Sequence, residues 1–305
     1  MTDRLDFAKY QGTGNDFIIV LDLEGAREID APTAAALCDR RFGIGADGLI
    51  RIVGEGDAAF FMDHRNADGT HAEMCGNGIR CLGKLVVDRG LAAGPAVDVM
   101  TRAGLRRLTV DLEGGEVDRV TVEMGTPRFQ RHEIPMRGAA WETFLAQPLV
   151  VGEMTFTASA ISMGNPHLVL FCDEDVARYH VGHIGAALER HELFPERTNV
   201  EFVHARAGGL DVRVWERGVG ETMACGTGAC AALVAAAEAG LAGRRSIARF
   251  PGGAVEVERR SDDGEVLLTG SATHVFDGAV DLDRLRDAAG ARSRGAEAAD
   301  AVPLL

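Results

Sequence analysis

Two cysteines of this chain are each followed by Gly-x-Gly at the predicted start of a helix. Cys75 precedes Gly-Asn-Gly, and Cys225 precedes Gly-Thr-Gly. The first turn of a helix carries unpaired backbone N–H groups and a partial positive charge, and both stabilise a thiolate. A cysteine at that position can therefore have a pKa of roughly 3.5–7.5 rather than about 8.5. The same N–H groups can bind a carboxylate, and glycine lets a ligand come close to the backbone.

The two cysteine sites are related by a constant offset of 150 residues. The same offset relates Asn15 to Asn165, and each asparagine is followed two residues later by a mostly apolar, strand-like run. Two matches at one offset indicate two related halves of the chain. If the halves face each other, a thiolate on one side of a carbon atom can remove a proton while a thiol on the other side delivers one. This arrangement is suited to inversion at carbon.

The remaining cysteines are interpreted as packing residues of the core, because small thiols are among the most buried side chains. They are Cys38, Cys81, Cys172 and Cys230. The chain has no Cys-x-x-Cys pair, which argues against a thioredoxin-like protein and a zinc ribbon, and we predict no metal site. Residues 43–48 fit Gly-x-Gly-x-x-Gly, but a predicted helix precedes them and a strand follows, the reverse of the dinucleotide-binding order.

Strand-like and helix-like segments alternate along the first half of the chain, and similar segments follow in the second half. The strands are expected at residues 16–21, 49–53, 58–62, 97–101, 106–112 and 117–123, and the helices at 32–41 and 76–89. Gly90 is positioned to end the second helix. The last segment is rich in Ala, Gly, Arg and Asp, and we expect it to form a frayed helix and a mobile tail.

The composition restricts the classes of function and partner. The chain has 305 residues and a formal net charge of −14, which disfavours nucleic acid and anionic membranes. Its N-terminus lacks the pattern of a signal peptide, and its apolar runs are shorter than a membrane span requires. We therefore expect a cytoplasmic enzyme with a small-molecule substrate. A homodimer is an option that the sequence leaves open.

Eight segments together resemble the diaminopimelate epimerase family, whose members work without pyridoxal phosphate. They occur in the family order, and the resemblance covers the chain from about residue 7 to 283. The segments are Gly12–Phe17, Gly43–Asp47, Arg65–Gly69, Met74–Cys81, Ser162–His167, Glu196–Val200, Trp215–Thr222 and Ala224–Cys230. Some family members have Gln where this chain has Gly48, so we leave Gly48 out of the site.

The resemblance implies an α/β (α+β) fold of two pseudo-symmetric domains. Each domain would be a strongly curved mixed sheet around a central helix, with the active site in the cleft between them. The implied boundaries are residues 1–125 plus about 272–284 for the half with Cys75, and 126–271 for the half with Cys225. Residues 285–305 would then form the mobile tail.

The resemblance also implies roles for individual residues. Cys75 and Cys225 would be the acid and base, and no cofactor would be needed. The reacting α-carboxylate would be bound by backbone N–H groups of Gly76, Asn77, Gly226 and Thr227, and the reacting end would be lined by Asn15 and Asn165. The distal amino acid centre would be bound by Asn66, Asn199, Glu216 and Arg217. These four side chains suit a carboxylate and an ammonium group.

The implied reaction is epimerisation of LL-2,6-diaminopimelate to the meso isomer, in lysine and peptidoglycan precursor biosynthesis. One alternative is another two-cysteine racemase or epimerase, of the proline or hydroxyproline type, which would lack the distal side chains. A second alternative, from a different class, is a thiol-redox protein without this enzymatic activity. A binding module that has lost catalysis is a third, although both cysteines are present.

Overall fold

The computed structural model describes residues 3–56, 59–92 and 94–288. The first half contains the helices α1 (Ala31–Cys38) and α2 (Gly76–Asp88). Its strands are β1 (Arg4–Gly12), β2 (Asn15–Leu21), β3 (Gly48–Gly54), β4 (Phe60–Asn66), β5 (Ala96–Thr101), β6 (Gly104–Glu113) and β7 (Glu116–Glu123). A short 3₁₀ helix (Arg131–Glu133) follows.

The second half contains the helices α3 (Val181–Glu189) and α4 (Gly226–Glu238), with a short 3₁₀ helix (Val176–Arg178) before α3. Its strands are β8 (Gln147–Val151), β9 (Met154–Ser162), β10 (Pro166–Phe171), β11 (Asn199–Arg206), β12 (Gly209–Glu216), β13 (Gly220–Thr222), β14 (Arg245–Phe250), β15 (Gly253–Arg259) and β16 (Val266–Gly270). The strand β17 (Thr273–Asp281) comes last.

The strand pairing has the same order in both halves. In the first half, β1–β2 is antiparallel, β2–β3 parallel, β3–β4 antiparallel, β4–β5 parallel, and β5–β6–β7 antiparallel. In the second half, the strands β9, β10, β11, β12, β14, β15 and β16 repeat this series in the same order. The two related halves inferred from the sequence offset therefore have equivalent topology.

Four pairings fall outside this repeat, and one of them is the short strand β13 beside β12. Strand β7 pairs with β16 and joins the two sheets. Strand β8 flanks β9 on the outer side, whereas β17, from the end of the chain, takes the equivalent place beside β1. The last strand thus lies against the first one, and the boundaries of the two domains stay a prediction.

Each half wraps its sheet around one central helix. Eleven of the thirteen residues of α2 are buried, and the helix contacts β1, β2, β3, β6 and β7. The equivalent helix α4 contacts β9, β10, β11, β15 and β16. Since α4 is rich in alanine, strands can approach it closely on several sides. The expected α/β fold of two pseudo-symmetric halves is confirmed.

Two predicted elements differ from the structure at their ends. Helix α1 ends at Cys38, three residues earlier than predicted, because the Asp39 side chain accepts hydrogen bonds from the backbone N–H groups of Arg41 and Phe42. Strand β4 continues to Asn66 through a charged segment. Its Asp63 is paired with Arg51 and Arg102 at 3.3 and 2.8 Å, so the strand can bury this carboxylate.

A short helix lies at the end of the described part of the chain. Residues 282–288 are helical and Leu285 is buried, where a frayed helix followed by a tail was expected, and the start of the tail stays a prediction. The rest of the predicted tail, residues 289–305, lies outside the described residues. Among the described residues, no helix has both the length and the apolarity needed to cross a membrane.

Leu268 on β16 lies behind the first turns of both central helices. A Cβ atom added to Gly76 would lie 3.0 Å from the Cδ2 atom of Leu268, and one added to Gly226 would lie 3.1 Å from the same atom. We expect Leu268→Ala to lower the free energy of unfolding by about 2–5 kcal/mol, because it leaves a cavity at this junction. The half-buried Leu267 on the same strand is the matched control, and Leu267→Ala should cost clearly less. Equal losses in urea unfolding would contradict this account of the junction.

Candidate active site

The first turns of α2 and α4 meet at the centre of the molecule. A Cβ built on Gly76 would lie 3.3 Å from the Cα of Gly226, and one built on Gly226 would lie 3.1 Å from the Cα of Gly76. Only glycine lets the two backbones approach so closely. The unpaired N–H groups and the positive ends of two helix dipoles are therefore concentrated in one small region.

The two cysteines are the N-cap residues of these helices. The Cys75 sulfur accepts a hydrogen bond from the Gly78 N–H at 3.5 Å, and the Cys225 sulfur accepts one from the Gly228 N–H at 3.4 Å. Cys75 is half-buried, and Cys225 is 8% exposed. The sequence repeat thus corresponds to one structural motif used twice, with a thiol at the start of each central helix.

Asparagines hold the site around Cys75. The Asn15 Oδ1 atom accepts hydrogen bonds from the Cys75 thiol at 3.7 Å and from Asn77 Nδ2 at 3.3 Å. Asn77 also donates to the backbone carbonyl of Ala224, in the other half, at 3.2 Å. The Asp47 carboxylate accepts from Asn15 Nδ2 at 2.7 Å and fixes the amide so that its oxygen faces the thiol.

A longer series of hydrogen-bonded side chains connects Cys225 to a carboxylate. The Cys225 sulfur lies 3.4 Å from the hydroxyl of Thr227, which accepts a hydrogen bond from Asn165 Nδ2 at 3.4 Å. Asn165 Oδ1 lies 2.9 Å from His167 Nε2, and the other ring nitrogen of His167 lies 2.7 Å from Glu201. His167 and Glu201 are both fully buried. Each catalytic candidate is therefore linked through an asparagine to a carboxylate.

The structure brings together three of the four residues predicted for the distal end. The side-chain Oδ1 atom of Asn199 accepts a hydrogen bond from the backbone N–H of Arg217 at 2.8 Å, and the exposed Arg217 side chain donates to the backbone carbonyl of Glu196 at 3.2 Å. The carboxylate of Glu216 accepts from the Thr222 hydroxyl and from the Cys225 thiol. Glu216 is therefore closer to the Cys225 thiol than the sequence suggested.

Asn66 stands apart from this group. It lies at the end of β4, opposite Gly48 on β3, and it donates to the Thr70 hydroxyl at 3.0 Å. Within the described part of the chain, no hydrogen bond connects it to Asn199, Glu216 or Arg217.

Comparison with known proteins gives a consistent match along the chain. The family model for diaminopimelate epimerase matches residues 7–130 and 159–275. The chain belongs to this family. The diaminopimelate epimerase of Moorella thermoacetica is 45% identical over 281 residues, which cover 92% of this chain and 100% of that protein. That of Desulforudis audaxviator is 47% identical over 278 residues, covering 90% and 98% of the two chains. The family name denotes an isomerase.

Solved structures of lower sequence similarity share the fold. A hydroxyproline epimerase from Agrobacterium vitis superposes with a TM-score of 0.68 at 16% identity, over 93% of this chain and 94% of that one. A methylitaconate-delta-isomerase gives a TM-score of 0.60 at 14% identity, over 93% and 97%. At these identities the likeness concerns the two-domain fold alone.

The thiols of this family member are neutral in the structure. Burial raises the pKa of Cys75 to about 11, although the Gly78 N–H opposes this effect. Burial also raises the pKa of Cys225 well above its usual value, and the charges of Glu216 and Glu201 raise it further. The expectation of lowered thiol pKa values is therefore wrong for this state, because the loss of water outweighs the helix termini.

The raised pKa values predict how the free protein reacts with iodoacetamide. Since the thiolate is the reactive form, the alkylation rate of Cys75 should rise about tenfold per pH unit between pH 7 and 10. Cys225 should react more slowly at every pH, because it is more buried and two carboxylates oppose its ionisation. Peptide mass spectrometry after timed alkylation measures both rates. A Cys75 rate that is constant above pH 7 would contradict the structure and support a lowered pKa.

Three polar residues of the site were not singled out from the sequence: Asp47, His167 and Glu201. Asp47 and His167 lie in segments that carry the family resemblance, and His167, on β10, follows Asn165 by two residues. Glu201 gave no signal in the sequence, because it reaches the site only through the parallel pairing of β10 and β11. Its Oε2 atom is buried and has no hydrogen-bond partner among the described residues.

Proposed function

We propose that the chain epimerises LL-2,6-diaminopimelate to meso-diaminopimelate by cofactor-free proton transfer at Cα between Cys75 and Cys225. The observation that carries this proposal is the meeting of two cysteine-capped helices at Gly76 and Gly226 in a member of the diaminopimelate epimerase family. Inversion needs an acid and a base on opposite sides of one carbon. Two thiols can exchange these roles when the reaction runs in the reverse direction.

The helix termini would supply the electrostatic stabilisation. The Cα–H of an amino acid is weakly acidic, so the site must stabilise the negative charge that develops on the carboxylate. Backbone N–H groups of Gly76, Asn77, Gly226 and Thr227 would bind this carboxylate from both helices. Fixed N–H donors in a site without water are an effective way to stabilise such charge. Burial of the thiols fits a cleft that closes over its substrate.

The substrate would also help to form the thiolate. In the free protein both thiols are neutral, and the half-buried Glu216 lies beside Cys225. An ammonium group next to the reacting carbon would place a positive charge near these thiols and favour ionisation of one of them. The Glu216 carboxylate can accept a hydrogen bond from such an ammonium group.

The remaining polar residues would select diaminopimelate over smaller amino acids. The exposed guanidinium of Arg217 can bind the distal carboxylate as a fork, and the amides of Asn66 and Asn199 can bind either distal group. Proline and hydroxyproline have no second amino acid centre to occupy these residues. The product would enter lysine and peptidoglycan precursor biosynthesis, as the family resemblance implies.

A substrate panel tests this proposal. The reduced protein, without added pyridoxal phosphate, is incubated separately with LL-diaminopimelate, L-proline and trans-4-hydroxy-L-proline, and the stereoisomers are separated by chiral chromatography. We expect inversion of diaminopimelate alone. Inversion of proline or hydroxyproline in its place would overturn the substrate assignment. Absence of any inversion, together with reduction of insulin disulfides, would instead support a thiol-redox protein.

A further inference from the structure

The side chain of Arg80 is a buried positive charge directly behind the active site. It projects from α2, four residues after Gly76, and it is 0% exposed. It is one of the largest fully buried side chains among the described residues. An arginine remains protonated in proteins, so the charge persists in this environment.

All the hydrogen-bond acceptors around this guanidinium are neutral. Its NH1 donates to the backbone carbonyl of Gly76 at 3.0 Å, and NH2 donates to the Thr13 hydroxyl at 2.7 Å. Its Nε atom donates to the carbonyl of Ser271 at 3.4 Å. In residues 3–56, 59–92 and 94–288, no carboxylate lies within salt-bridge distance of Arg80. Burying a charge without an ionic partner destabilises the folded state, so the presence of this cation points to a role beyond folding.

The groups near Arg80 that can become negative are thiols. The charge of Arg80 interacts with Cys81, Cys75 and Cys230. Burial raises the pKa of Cys81 to about 12 and raises that of Cys230 as well, so these two stay neutral. Cys75, whose pKa burial raises to about 11, also faces the Glu216 carboxylate, which opposes its ionisation, and Arg80, which favours it. The negative charge that Arg80 can best balance is therefore the Cys75 thiolate.

Arg80 also acts on the peptide between Gly76 and Asn77. The carbonyl oxygen of this peptide accepts the hydrogen bond from Arg80, and its N–H group belongs to Asn77 in the first turn of α2. A cation on the carbonyl oxygen polarises the peptide and makes its N–H a stronger donor. An anion bound at the helix terminus would therefore be held more strongly.

A third contact of Arg80 supports the turn before Asn15. Thr13 has a φ angle of +56°, which is unfavourable for a β-branched residue, and its hydroxyl accepts from Arg80. Backbone strain of this kind persists only where the surroundings enforce it. Arg80 thus fixes both the helix terminus and the turn that carries Asn15, the acceptor facing the Cys75 thiol.

The second half has no counterpart to this cation. The position 150 residues after Arg80 is Cys230, and the one after Thr13 is Met163. The groups near Cys225 are instead the carboxylates Glu216 and Glu201. The two halves share a backbone motif, but Cys75 has a buried cation behind it, whereas Cys225 faces two carboxylates, of which Glu216 also acts on Cys75.

We propose that Arg80 is a positioning residue with two effects on the first turn of α2. Its fixed positive charge stabilises the Cys75 thiolate, and its hydrogen bond to the Gly76 carbonyl makes the Asn77 N–H a stronger donor. The statement about the thiolate is independent of the substrate. The statement about the Asn77 N–H rests on the proposed function, in which this group binds the substrate carboxylate.

Alkylation of the free protein tests the thiolate statement directly. The variants are Arg80→Gln, which removes the charge, and Arg80→Lys, which keeps it. The matched control is Lys84→Gln, which removes another buried cation from α2, one that is paired with Asp88 at 2.8 Å. Iodoacetamide rates at Cys75 and Cys225 are read from the same sample at pH 8 by peptide mass spectrometry, with thermal unfolding as the check on folding.

We expect Arg80→Gln to slow alkylation of Cys75 by about tenfold or more, as a rise of one unit in its pKa would do. Cys225 should change by less than about threefold, and Arg80→Lys and Lys84→Gln should leave the Cys75 rate within about threefold of the original. An unchanged or faster Cys75 rate in folded Arg80→Gln would overturn the proposal. If Arg80→Gln does not fold, Arg80→Lys decides, and a tenfold loss in it would show that geometry rather than charge matters.

The enzymatic assay separates this inference from the proposed function. With diaminopimelate as substrate, Arg80→Gln should lower kcat by about tenfold, less than the roughly hundredfold loss of a donor that itself contacts the developing anion, and Arg80→Lys should recover most of it. If the original protein does not epimerise diaminopimelate, the proposed function fails, while the alkylation result still decides the role of Arg80 at Cys75.

Discussion

Cys75→Ala and Cys225→Ala are each expected to lower the rate of diaminopimelate epimerisation by at least about a thousandfold. Each change removes the acid or the base on one side of the reacting carbon, and a positioned acid or base contributes about 10²–10⁴-fold. Because inversion requires both thiols, the double variant should be no worse than either single variant. Epimerisation is measured by chiral chromatography in the presence of a reducing agent.

Two other buried cysteines provide the control for these substitutions. Cys38 and Cys172 belong to core clusters away from the helix termini, so Cys38→Ala and Cys172→Ala should retain at least about half of the kcat and lose some stability. A Cys75→Ala or Cys225→Ala variant that keeps more than a few per cent of the activity would contradict the two-thiol mechanism.

The second large effect is expected from Gly226→Ala. Its new Cβ would lie 3.1 Å from the backbone Cα of Gly76, so the two helix termini must separate by a few tenths of an ångström. We expect a loss of about 1–3 kcal/mol in the free energy of unfolding, as is typical of overpacking. We also expect kcat to fall by about tenfold or more, because the N–H groups on the two helices no longer converge correctly.

Gly243→Ala is the matched control in the same half of the chain. A Cβ at Gly243 would meet nothing within 4 Å, and its φ angle lies outside the left-handed region. It should therefore leave both kcat and stability close to their original values. If Gly226→Ala is as active and stable as Gly243→Ala, the close approach of the helices is not needed for catalysis.

The repeated cysteine motif could be predicted from the sequence because its residues are adjacent in the chain. Cys-Gly-x-Gly occurs at residues 75–78 and 225–228, and the structure has a cysteine-capped helix at each place. The offset of 150 residues also corresponds to the repeated strand pairing. Strand β17 could be given its place beside β1 only through the family resemblance, because the pairing joins the two ends of the chain.

The charges around the site could not be predicted in the same way. The helix termini at Cys75 and Cys225 are visible in the sequence, but the burial that raises both thiol pKa values depends on packing from distant segments. Glu201 and Arg80 lie behind the site because of strand pairing and a long side chain. Glu201 lies outside the recognised segments, and Arg80 lies within Met74–Cys81 but was not singled out. Glu216 was assigned to the distal end, whereas its carboxylate lies beside Cys225.

The most direct test of the central claim follows hydrogen during catalysis. The reduced protein converts LL-diaminopimelate in D₂O without pyridoxal phosphate, and NMR measures deuterium at Cα in the substrate and the product. If thiols on opposite faces act as base and acid, each inverted centre should carry solvent deuterium while the remaining substrate keeps its hydrogen early in the reaction. Inversion with retention of the original hydrogen, or a requirement for pyridoxal phosphate, would contradict the two-thiol account.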